Sequence, residues 1–336
     1  MKVNAIVCNE IAEDIGSVEL QKIELPEPGP GQVRVRLKAC AVNFPDLLMI
    51  QGKYQFKPPL PFAPGGEAAG DIEAIGPGVS FKEGDAVIVG MRYGGFAEAV
   101  VVDESQVKRL PKGMNYAKGA SYQTAYLTAY VALQRRGYLE KGETLLVHGA
   151  TGGVGMAAVD LGKHFGANVI GTGGRDDKLA VVASRGADHV INYTMDDGRL
   201  GGFRETVKLL TGGRGADVIY DPVGGDVFDE SMRCINWGGR ILSIGFTSGR
   251  WPQAPVNLIL IKQISVIGVR AGEYGRQDPV KGRENAQRLY AMAEAGEIDP
   301  YISHVLPLEN AVEAMRLLEQ REVVGKAVVT MNGYSI

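Results

Sequence analysis

A glycine-rich segment, LLVHGATGGVG at residues 145–155, carries the clearest chemical pattern in the chain. It falls between a predicted strand and a predicted helix, at the head of a βαβ unit. Because Gly152 and Gly153 have no Cβ, a pyrophosphate can approach their backbone N–H groups, and the helix that begins near Val154 points its positive end at that phosphate. Gly155 allows the helix to pack closely on the strand. The pattern differs from the usual G-x-G-x-x-G, so its position between strand and helix supports the prediction of a dinucleotide site.

The end of the next predicted strand, VIGTGGRDDK at residues 169–178, indicates which dinucleotide binds. NAD sites usually place an Asp or Glu here to hold the ribose 2′-hydroxyl. The neutral residues 172–174 occupy the strand end instead, and the following Arg175 and Lys178 can pair with a 2′-phosphate. We interpret the two acids at 176–177 as first-turn residues of the next helix, where the helix dipole favours them. The segment therefore predicts NADPH rather than NADH.

Cysteine and histidine are few and scattered. The three cysteines, Cys8, Cys40 and Cys234, lie among apolar neighbours and are interpreted as inert core residues. None of the four histidines has metal-ligand spacing to another His or Cys. These observations exclude a disulfide scaffold and a four-thiolate zinc lobe, and they predict that no metal is bound.

Charge and hydropathy narrow the class of protein. The 336 residues include 36 Lys and Arg against 39 Asp and Glu, a net charge of −3, which leaves no basic footprint for nucleic acid. The first residues turn acidic too early for a signal peptide. The longest apolar stretch, residues 256–269, is interrupted by Lys262 and Gln263 and is shorter than the span of about 20 residues that a membrane requires. We expect a soluble, cytoplasmic protein without a nucleic-acid or membrane partner.

The predicted elements divide the chain into three parts. The first third has strands of alternating polarity separated by Pro and Gly, and from about residue 120 strands alternate with helices, which is typical of a parallel sheet covered on both faces. The tail adds two helices and a closing strand that needs a sheet to join. The pattern predicts an α/β protein in which residues 1–125 and 272–336 form a β-rich domain and residues 126–271 form a doubly wound cofactor domain.

Several motifs occur in one order along nearly the whole chain. They are NFPDLLMIQGKY at 43–54, PFAPGGEAAG at 61–70, FKEGDAV at 81–87, TAY at 128–130, ATGGVG at 150–155 and DPVGGD at 221–226. With these motifs the chain resembles the zinc-independent quinone oxidoreductases of the medium-chain dehydrogenase/reductase superfamily, the ζ-crystallin-like branch. The resemblance implies a GroES-like domain on the substrate side, a Rossmann domain for the nicotinamide cofactor, and an active site in the cleft between them.

Two departures from the zinc alcohol dehydrogenases of that superfamily bear on the reaction. Those enzymes carry Cys-x-x-Asp and Gly-His-Glu, whereas this chain has Asn43-x-x-Asp46 and Gly65-Gly66-Glu67. A thiolate and an imidazole are therefore missing. Without zinc no Lewis acid assists the formation of an alkoxide. We expect NADPH-dependent reduction of quinones or related α,β-unsaturated carbonyls.

Site residues follow from these motifs and from the resemblance. The predicted catalytic residues are Asn43, Asp46 and Tyr54. The predicted cofactor-binding residues are Asn43 and Thr128 at the nicotinamide, Gly152, Gly153 and Val154 at the pyrophosphate, Gly173, Arg175, Lys178 and Tyr193 around the adenosine 2′-phosphate, and Phe246, Val269 and Lys326 on the cofactor's other side.

Less specific interpretations of some of these residues stay open. Arg175 and Lys178 also fit solvated surface charges, and Tyr193 also fits a buried strand end. Lys326 also fits a charge that protects a strand edge. Tyr54 is either a hydroxyl that faces the substrate or an anchor for its loop.

Two other functions also remain open. One is an enoyl-CoA reductase of the acryloyl-CoA type on the same fold, for which Arg92, Arg270 and Arg276 are candidate partners of the anionic CoA. The other is a non-catalytic NADPH-binding protein. The small-molecule acceptor is not identified by the sequence.

The strands predicted at 240–245 and 264–269 are apolar and flat. One of them is expected at the edge of the parallel sheet, where an exposed apolar strand favours pairing with a second copy about a two-fold axis. The sequence and the resemblance therefore both predict a homodimer.

Overall fold

The computed structural model describes residues 1–195 and 200–335, and the chain divides into two compact units. The first unit comprises residues 1–123 together with the C-terminal segment from Ala293. The second unit comprises residues 124–292. No helix in the described residues combines the length and the apolar composition that crossing a bilayer requires.

In chain order, the strands of the described residues are β1 Lys2–Val7, β2 Glu19–Glu24, β3 Gln32–Ala41, β4 Glu67–Ile75, β5 Ala86–Gly90, β6 Ala99–Asp103, β7 Val107–Arg109, β8 Thr144–Val147, β9 Asn168–Gly173, β10 His189–Asn192, β11 Ala216–Asp221, β12 Ile235–Ser243, β13 Ser265–Gly268, β14 Ile302–Pro307 and β15 Lys326–Thr330.

The helices are α1 Phe44–Ile50, α2 Tyr116–Tyr130, α3 Gly153–His164, α4 Asp176–Ser184, α5 Phe203–Leu210, α6 Gly225–Cys234, α7 Val256–Lys262, α8 Ala271–Gln277, α9 Pro279–Glu294 and α10 Ala311–Glu319. A π-helical turn, Val131–Arg136, continues α2.

The first unit is built on a mixed sheet with the strand order β14-β15-β3-β4-β5-β7, and β6 also pairs with β3. Alternate residues of β3 are buried, including Val33, Val35 and Leu37, because successive side chains of a strand point to opposite faces. The closing strand β15 pairs antiparallel with β3. The prediction that the last strand joins the sheet of the first part of the chain is confirmed.

The second unit is built on a six-stranded parallel sheet with the order β10-β9-β8-β11-β12-β13. Numbered from the first strand of this sheet, the order is 3-2-1-4-5-6, which is that of dinucleotide-binding folds. The order reverses between β8 and β11, so the loops after these two strands lie where such folds bind their ligands. The predicted fold class, a β-rich unit with a doubly wound parallel-sheet unit, is confirmed.

The second domain boundary lies later than the sequence suggested. We expected residues 272–292 in the β-rich domain, but they belong to the second unit. Arg135 explains why, because its Nε donates to Asn285 Oδ1 at 2.8 Å and its Nη2 pairs with Glu284 Oε2 at 3.0 Å. These contacts hold α9 against the π-helical turn after α2. A helical pattern alone does not reveal which sheet a helix packs against.

The apolar stretch at 256–269 is divided in the structure. It forms α7 and then β13, with Gln263 between them in the left-handed region at a φ of 52°. Strand β13 is the last strand of the parallel sheet, so the predicted apolar edge strand is confirmed.

Candidate functional site

The glycine-rich loop lies between β8 and α3 in the second unit. Gly152 is the N-cap residue of α3, and it provides no side-chain cap. The first N–H groups of a helix have no partner within the helix, so this turn presents donors to an anion. A Cβ on Gly155 would clash with the backbone of Gly149 and Ala150, which explains the need for glycine there. The loop and helix therefore fit the pyrophosphate of a dinucleotide.

Buried His148 directly precedes this loop in the chain. The ring is completely buried, with Nδ1 at 2.8 Å from Thr172 Oγ1 and Nε2 at 2.8 Å from Ser231 Oγ. Ser231 donates its own proton to Val227 O at 2.7 Å, so it accepts from Nε2–H, and Thr172 donates to Nδ1. Burial lowers the pKa of His148 to about 3, which keeps the ring neutral. The histidine thus links the end of β8 to β9 and α6.

Of the four residues predicted at the 2′-phosphate, Gly173 ends β9, Tyr193 follows β10, and Arg175 and Lys178 lie at the start of α4. Tyr193 N donates to Gly173 O at 3.0 Å, and the Tyr193 ring lies against Phe203 with centroids 6.4 Å apart. Lys178 is only 6% exposed, so its interpretation as a solvated surface charge is wrong. Tyr193 is half-buried.

Arg175 is exposed and has an acidic neighbour. Its Nε and Nη2 donate to the two carboxylate oxygens of Asp177 at 3.1 and 2.7 Å. This bond lowers the pKa of Asp177. Both Asp176 and Asp177 lie in the first turn of α4, as predicted. The carboxylate of Asp177 is held at the place on the guanidinium where a phosphate would bind.

Phe246 and Val269 follow β12 and β13, on the same edge of the parallel sheet as the glycine-rich loop. Val269 is buried and its N–H donates to Ser243 O at 2.9 Å, whereas Phe246 is exposed.

Asp221, at the end of β11, accepts from Val223 N and Gly224 N at 2.8 and 2.9 Å. Burial raises the pKa of Asp221 to about 6.

Thr128 lies on α2 in the second unit and is half-buried. Its hydroxyl donates to Thr124 O at 2.8 Å, inside the same helix. The hydroxyl oxygen keeps its capacity to accept a hydrogen bond from a ligand.

In the first unit, Asp46 stabilises the start of α1. Its Oδ2 accepts from Asn43 N at 2.8 Å and its Oδ1 accepts from Gly65 N at 3.0 Å. Burial raises the pKa of Asp46 to about 7, although the two N–H donors and Lys326 act in the opposite direction. Because the carboxyl group is buried and both of its oxygens are bonded to the backbone, the geometry favours a tethering role for Asp46 over the expected catalytic one.

Asn43, Glu67 and Lys326 form a polar group that we call the Asn43 cluster. Lys326 Nζ lies 2.6 Å from Asn43 Oδ1 and 2.8 Å from Glu67 Oε1, and Asn43 Nδ2 donates to Glu67 Oε1 at 3.0 Å. Lys326 begins β15, which lies between β14 and β3, so its interpretation as a charge on a strand edge is wrong. Sequence reasoning placed Lys326 at the cofactor and gave Glu67 no role.

Tyr54 is half-buried and packs on the core of the first unit. Its N–H donates to Leu48 O at 3.1 Å, so its backbone is anchored to α1. An aromatic group nearby in the sequence joins two loops, since Phe56 stacks on Tyr93 at 6.1 Å and the Arg92 guanidinium lies 4.5 Å above the Phe56 ring. Both a loop anchor and a hydroxyl available to a ligand are compatible with this position of Tyr54.

Within residues 1–195 and 200–335, no group of three or more His, Cys, Asp or Glu side chains is arranged to bind a metal ion. The three cysteines are buried and free, as predicted.

The chain matches two families of known proteins. The alcohol dehydrogenase GroES-like domain matches residues 29–112, and the zinc-binding dehydrogenase family matches residues 153–295. The quinone oxidoreductase-like protein 2 homolog of Nematostella vectensis is 38% identical over 329 residues, which cover 97% of this chain and 88% of that protein. The quinone oxidoreductase of Homo sapiens is 32% identical over 294 residues, which cover 87% of this chain and 86% of that protein.

A solved structure agrees with these sequence matches. The mycobacterial protein Rv1454c, complexed with NADPH, superposes with a TM-score of 0.87 at 28% identity, over 98% of this chain and 100% of that one. The chain therefore belongs to the quinone oxidoreductase family of NAD(P)H-dependent oxidoreductases, within the medium-chain dehydrogenase/reductase superfamily.

Proposed function

We propose that this protein reduces quinones or related α,β-unsaturated carbonyls with NADPH and without zinc. The residues around Asn43 provide the main observation in support of this proposal. An amide and a glycine, Asn43 and Gly66, replace the thiolate and the imidazole of the zinc enzymes, and Asn43 accepts a hydrogen bond from the Lys326 ammonium. An ammonium group has donors only and cannot bind a cation. An acceptor that is already electrophilic needs no Lewis acid.

When bound, the nicotinamide cofactor supplies a hydride, which is two electrons and one proton, and the quinone takes up a second proton to become the hydroquinone. Gly152, Gly153 and Val154 hold the pyrophosphate through backbone N–H groups at the start of α3. We assign Thr128, Phe246 and Val269 to the nicotinamide half of the cofactor. These residues bind and orient, and the cofactor carries the redox chemistry.

NADPH is preferred because cations follow β9 where an acid would hold the 2′-hydroxyl of NADH. Arg175 and Lys178 pair with the 2′-phosphate, Tyr193 lies beside them, and Gly173 leaves space at the strand end. The Arg175 guanidinium would hold this phosphate in place of the Asp177 carboxylate. Because an exposed ion pair is weak, this exchange costs little.

Asn43 orients the acceptor and the nicotinamide, and Asp46 holds the backbone of Asn43. Tyr54 donates a proton to the α-carbon when the acceptor is an enone. A reduced quinone needs no such donor, because its oxyanion is the base of a phenol and takes a proton from water. Tyr54→Phe is therefore expected to leave quinone turnover unchanged and to slow enone reduction by as much as about 10²-fold. Equal rates with every acceptor would make Tyr54 a loop anchor.

The test of the function is NADPH consumption with a panel of quinones, alkyl enones and enoyl-CoA esters. We expect turnover with quinones or enones. Turnover with enoyl-CoA esters alone would favour the CoA reductase, and NADPH binding without turnover of any acceptor would favour a non-catalytic protein.

We also infer a homodimer, paired through β13. This strand ends the parallel sheet, and the preceding helix α7 exposes Val256, Leu260 and Ile261 by 75%, 77% and 69%. Pairing two edges about a two-fold axis covers both. Light scattering at micromolar concentration is expected to give the dimer mass, and Leu260→Lys is expected to shift it towards the monomer. A monomeric mass for the unaltered protein would contradict the inference.

We infer a cytoplasmic location from the thiols. Cys8, Cys40 and Cys234 are buried and free, which is typical of proteins in reducing compartments. Fractionation of cells that express the protein tests this, and recovery with the membrane or secreted fraction would contradict it.

A further inference from the structure

We propose that Lys326 and Glu67 are positioning residues that fix the Asn43 side-chain amide in one orientation, and that hydride transfer depends on this orientation. The part that concerns the rate rests on the proposed reductase function. The part that concerns the orientation does not.

The charges of the Asn43 cluster allow the amide one orientation only. The Lys326 ammonium has donors but no acceptor, so it must face Asn43 Oδ1, which lies 2.6 Å away. The Glu67 carboxylate has acceptors but no donor, so it must face Asn43 Nδ2, at 3.0 Å. A half-turn of the amide would place N–H against ammonium and oxygen against carboxylate. Both contacts would become repulsive.

Burial makes these contacts strong. The side chains of Lys326 and Glu67 are 5% and 1% exposed, and their salt bridge of 2.8 Å closes the triangle with Asn43. Hydrogen bonds to charged groups are stronger than neutral ones, and low exposure strengthens them further. Asn43 itself is only half-buried, so the cluster has one accessible member.

The backbone of Asn43 is fixed independently of its side chain. Its N–H donates to Asp46 Oδ2 at 2.8 Å, and its φ and ψ of −127° and 152° are those of an extended N-cap residue. The torsions of the Asn43 side chain are the freedom that remains, and Lys326 and Glu67 remove it.

The second amide hydrogen of Asn43 is weakly engaged. Beyond Glu67, the acceptor that Nδ2 reaches is Ala41 O, at 3.5 Å, which is at the limit of a hydrogen bond. This hydrogen is therefore available to a carbonyl oxygen of a bound molecule. Because its direction follows from the orientation of the amide, Lys326 and Glu67 determine where Asn43 can donate.

A purely structural ion pair would have the same burial, so the test must separate stability from orientation. A double-mutant cycle does so. Lys326→Met is expected to lower the rate of hydride transfer to a quinone, measured in a single turnover, by about 10²-fold, because a misplaced group near the reacting atoms has effects of this size. In an Asn43→Ala background, Lys326→Met is expected to have no further effect on that rate. If the two substitutions lower the rate of hydride transfer independently, so that their effects multiply in the double variant, the proposal is overturned.

Two further variants control for folding. Glu67→Gln combined with Lys326→Met removes both charges, so no unpaired charge is buried, and the rate is still expected to be low; a native rate would contradict the proposal. Lys163→Met removes an ion pair of the same length, 2.8 Å to Asp188, outside the proposed site. This variant is expected to keep the rate of the unaltered protein, and a comparable loss would show that the effect of Lys326→Met is not specific.

An experiment without turnover tests the orientation itself. In protein labelled with ¹⁵N at asparagine, the Asn43 amide signal is identified by its loss in Asn43→Ala. We expect its two hydrogens to exchange slowly with water, and to exchange much faster in Lys326→Met and in the neutral double variant. Unchanged exchange would refute the orienting role. If no acceptor is reduced, the proposed function fails while this experiment still decides the orientation.

Discussion

Two ion pairs, one in each unit, are held in opposite ways. In the second unit, Arg175 is exposed and its partner Asp177 is exposed as well, at 51% and 61% of their side chains. In the first unit, Lys326 and Glu67 are buried and bonded to each other. An exposed pair exchanges its partner easily, so it is suited to binding a charged ligand. A buried pair is costly to separate, so it is suited to holding a neighbour in place.

The largest expected effect is the loss of stability when the buried ion pair of the first unit is removed. Glu67→Ala leaves the Lys326 ammonium buried without its counter-charge, and the free energy of unfolding is expected to fall by about 3–5 kcal/mol. Urea unfolding measures this change. As a matched control, Asp177→Asn removes the exposed pair and is expected to leave the stability unchanged. Similar losses in the two variants would remove the distinction between the pairs.

The second-largest expected effect is on the binding of NADPH by Arg175 of the exposed pair. Arg175→Ala removes a charge-assisted contact to the 2′-phosphate, and the KM for NADPH is expected to rise about 10- to 100-fold while the KM for NADH hardly changes. Asp177→Asn removes the competing carboxylate of Asp177 and is expected to lower the KM for NADPH slightly. Steady-state kinetics with both cofactors measures these changes. Equal effects on NADPH and NADH would mean that Arg175 does not contact the 2′-phosphate.

At pH 6 and above, the smallest effect comes from the buried neutral group of the second unit, His148. Burial lowers its pKa from the usual 6.5 to about 3 in the folded protein, so between these pH values the unfolded state binds more protons. The free energy of unfolding therefore falls as the pH falls below 6.5, by up to about 1.4 kcal/mol per pH unit. Asp221 acts in the opposite direction, because its raised pKa makes the folded state bind more protons between pH 3.8 and about 6.

The difference between the unaltered protein and His148→Gln isolates the histidine contribution, because Asp221 is present in both. Chemical unfolding at a series of pH values is expected to show a shallower decline for the variant in acid. Parallel pH profiles would contradict the assignment of His148 as a buried neutral ring.

The loop and strand ends of the parallel sheet could be predicted from the sequence because their signals are local. The glycine-rich segment, the strand end and the first-turn acids lie within residues 145–178, and the parallel order of strands follows from their alternation with helices. Each signal depends on backbone conformation or helix polarity, which short segments determine.

The Asn43 cluster could not be predicted in the same way. Asn43 and Lys326 are 283 residues apart, and Glu67 and Lys326 are 259 apart, so only the pairing of β15 with β3 and of β3 with β4 brings them together. One signal was present, because Glu67 keeps the acid of the Gly-His-Glu motif after its histidine is lost. A buried acid needs a cation, and Lys326 supplies it.

Reduction by NADPH is expected to proceed without a metal ion. The most direct test is the rate of NADPH oxidation with a quinone acceptor, before and after dialysis of the 336-residue protein against a zinc chelator, with elemental analysis of both samples. The predicted result is an unchanged rate and no stoichiometric zinc in either sample. Stoichiometric zinc before dialysis, with a rate that is lost on chelation and restored by added zinc, would contradict metal-independent reduction.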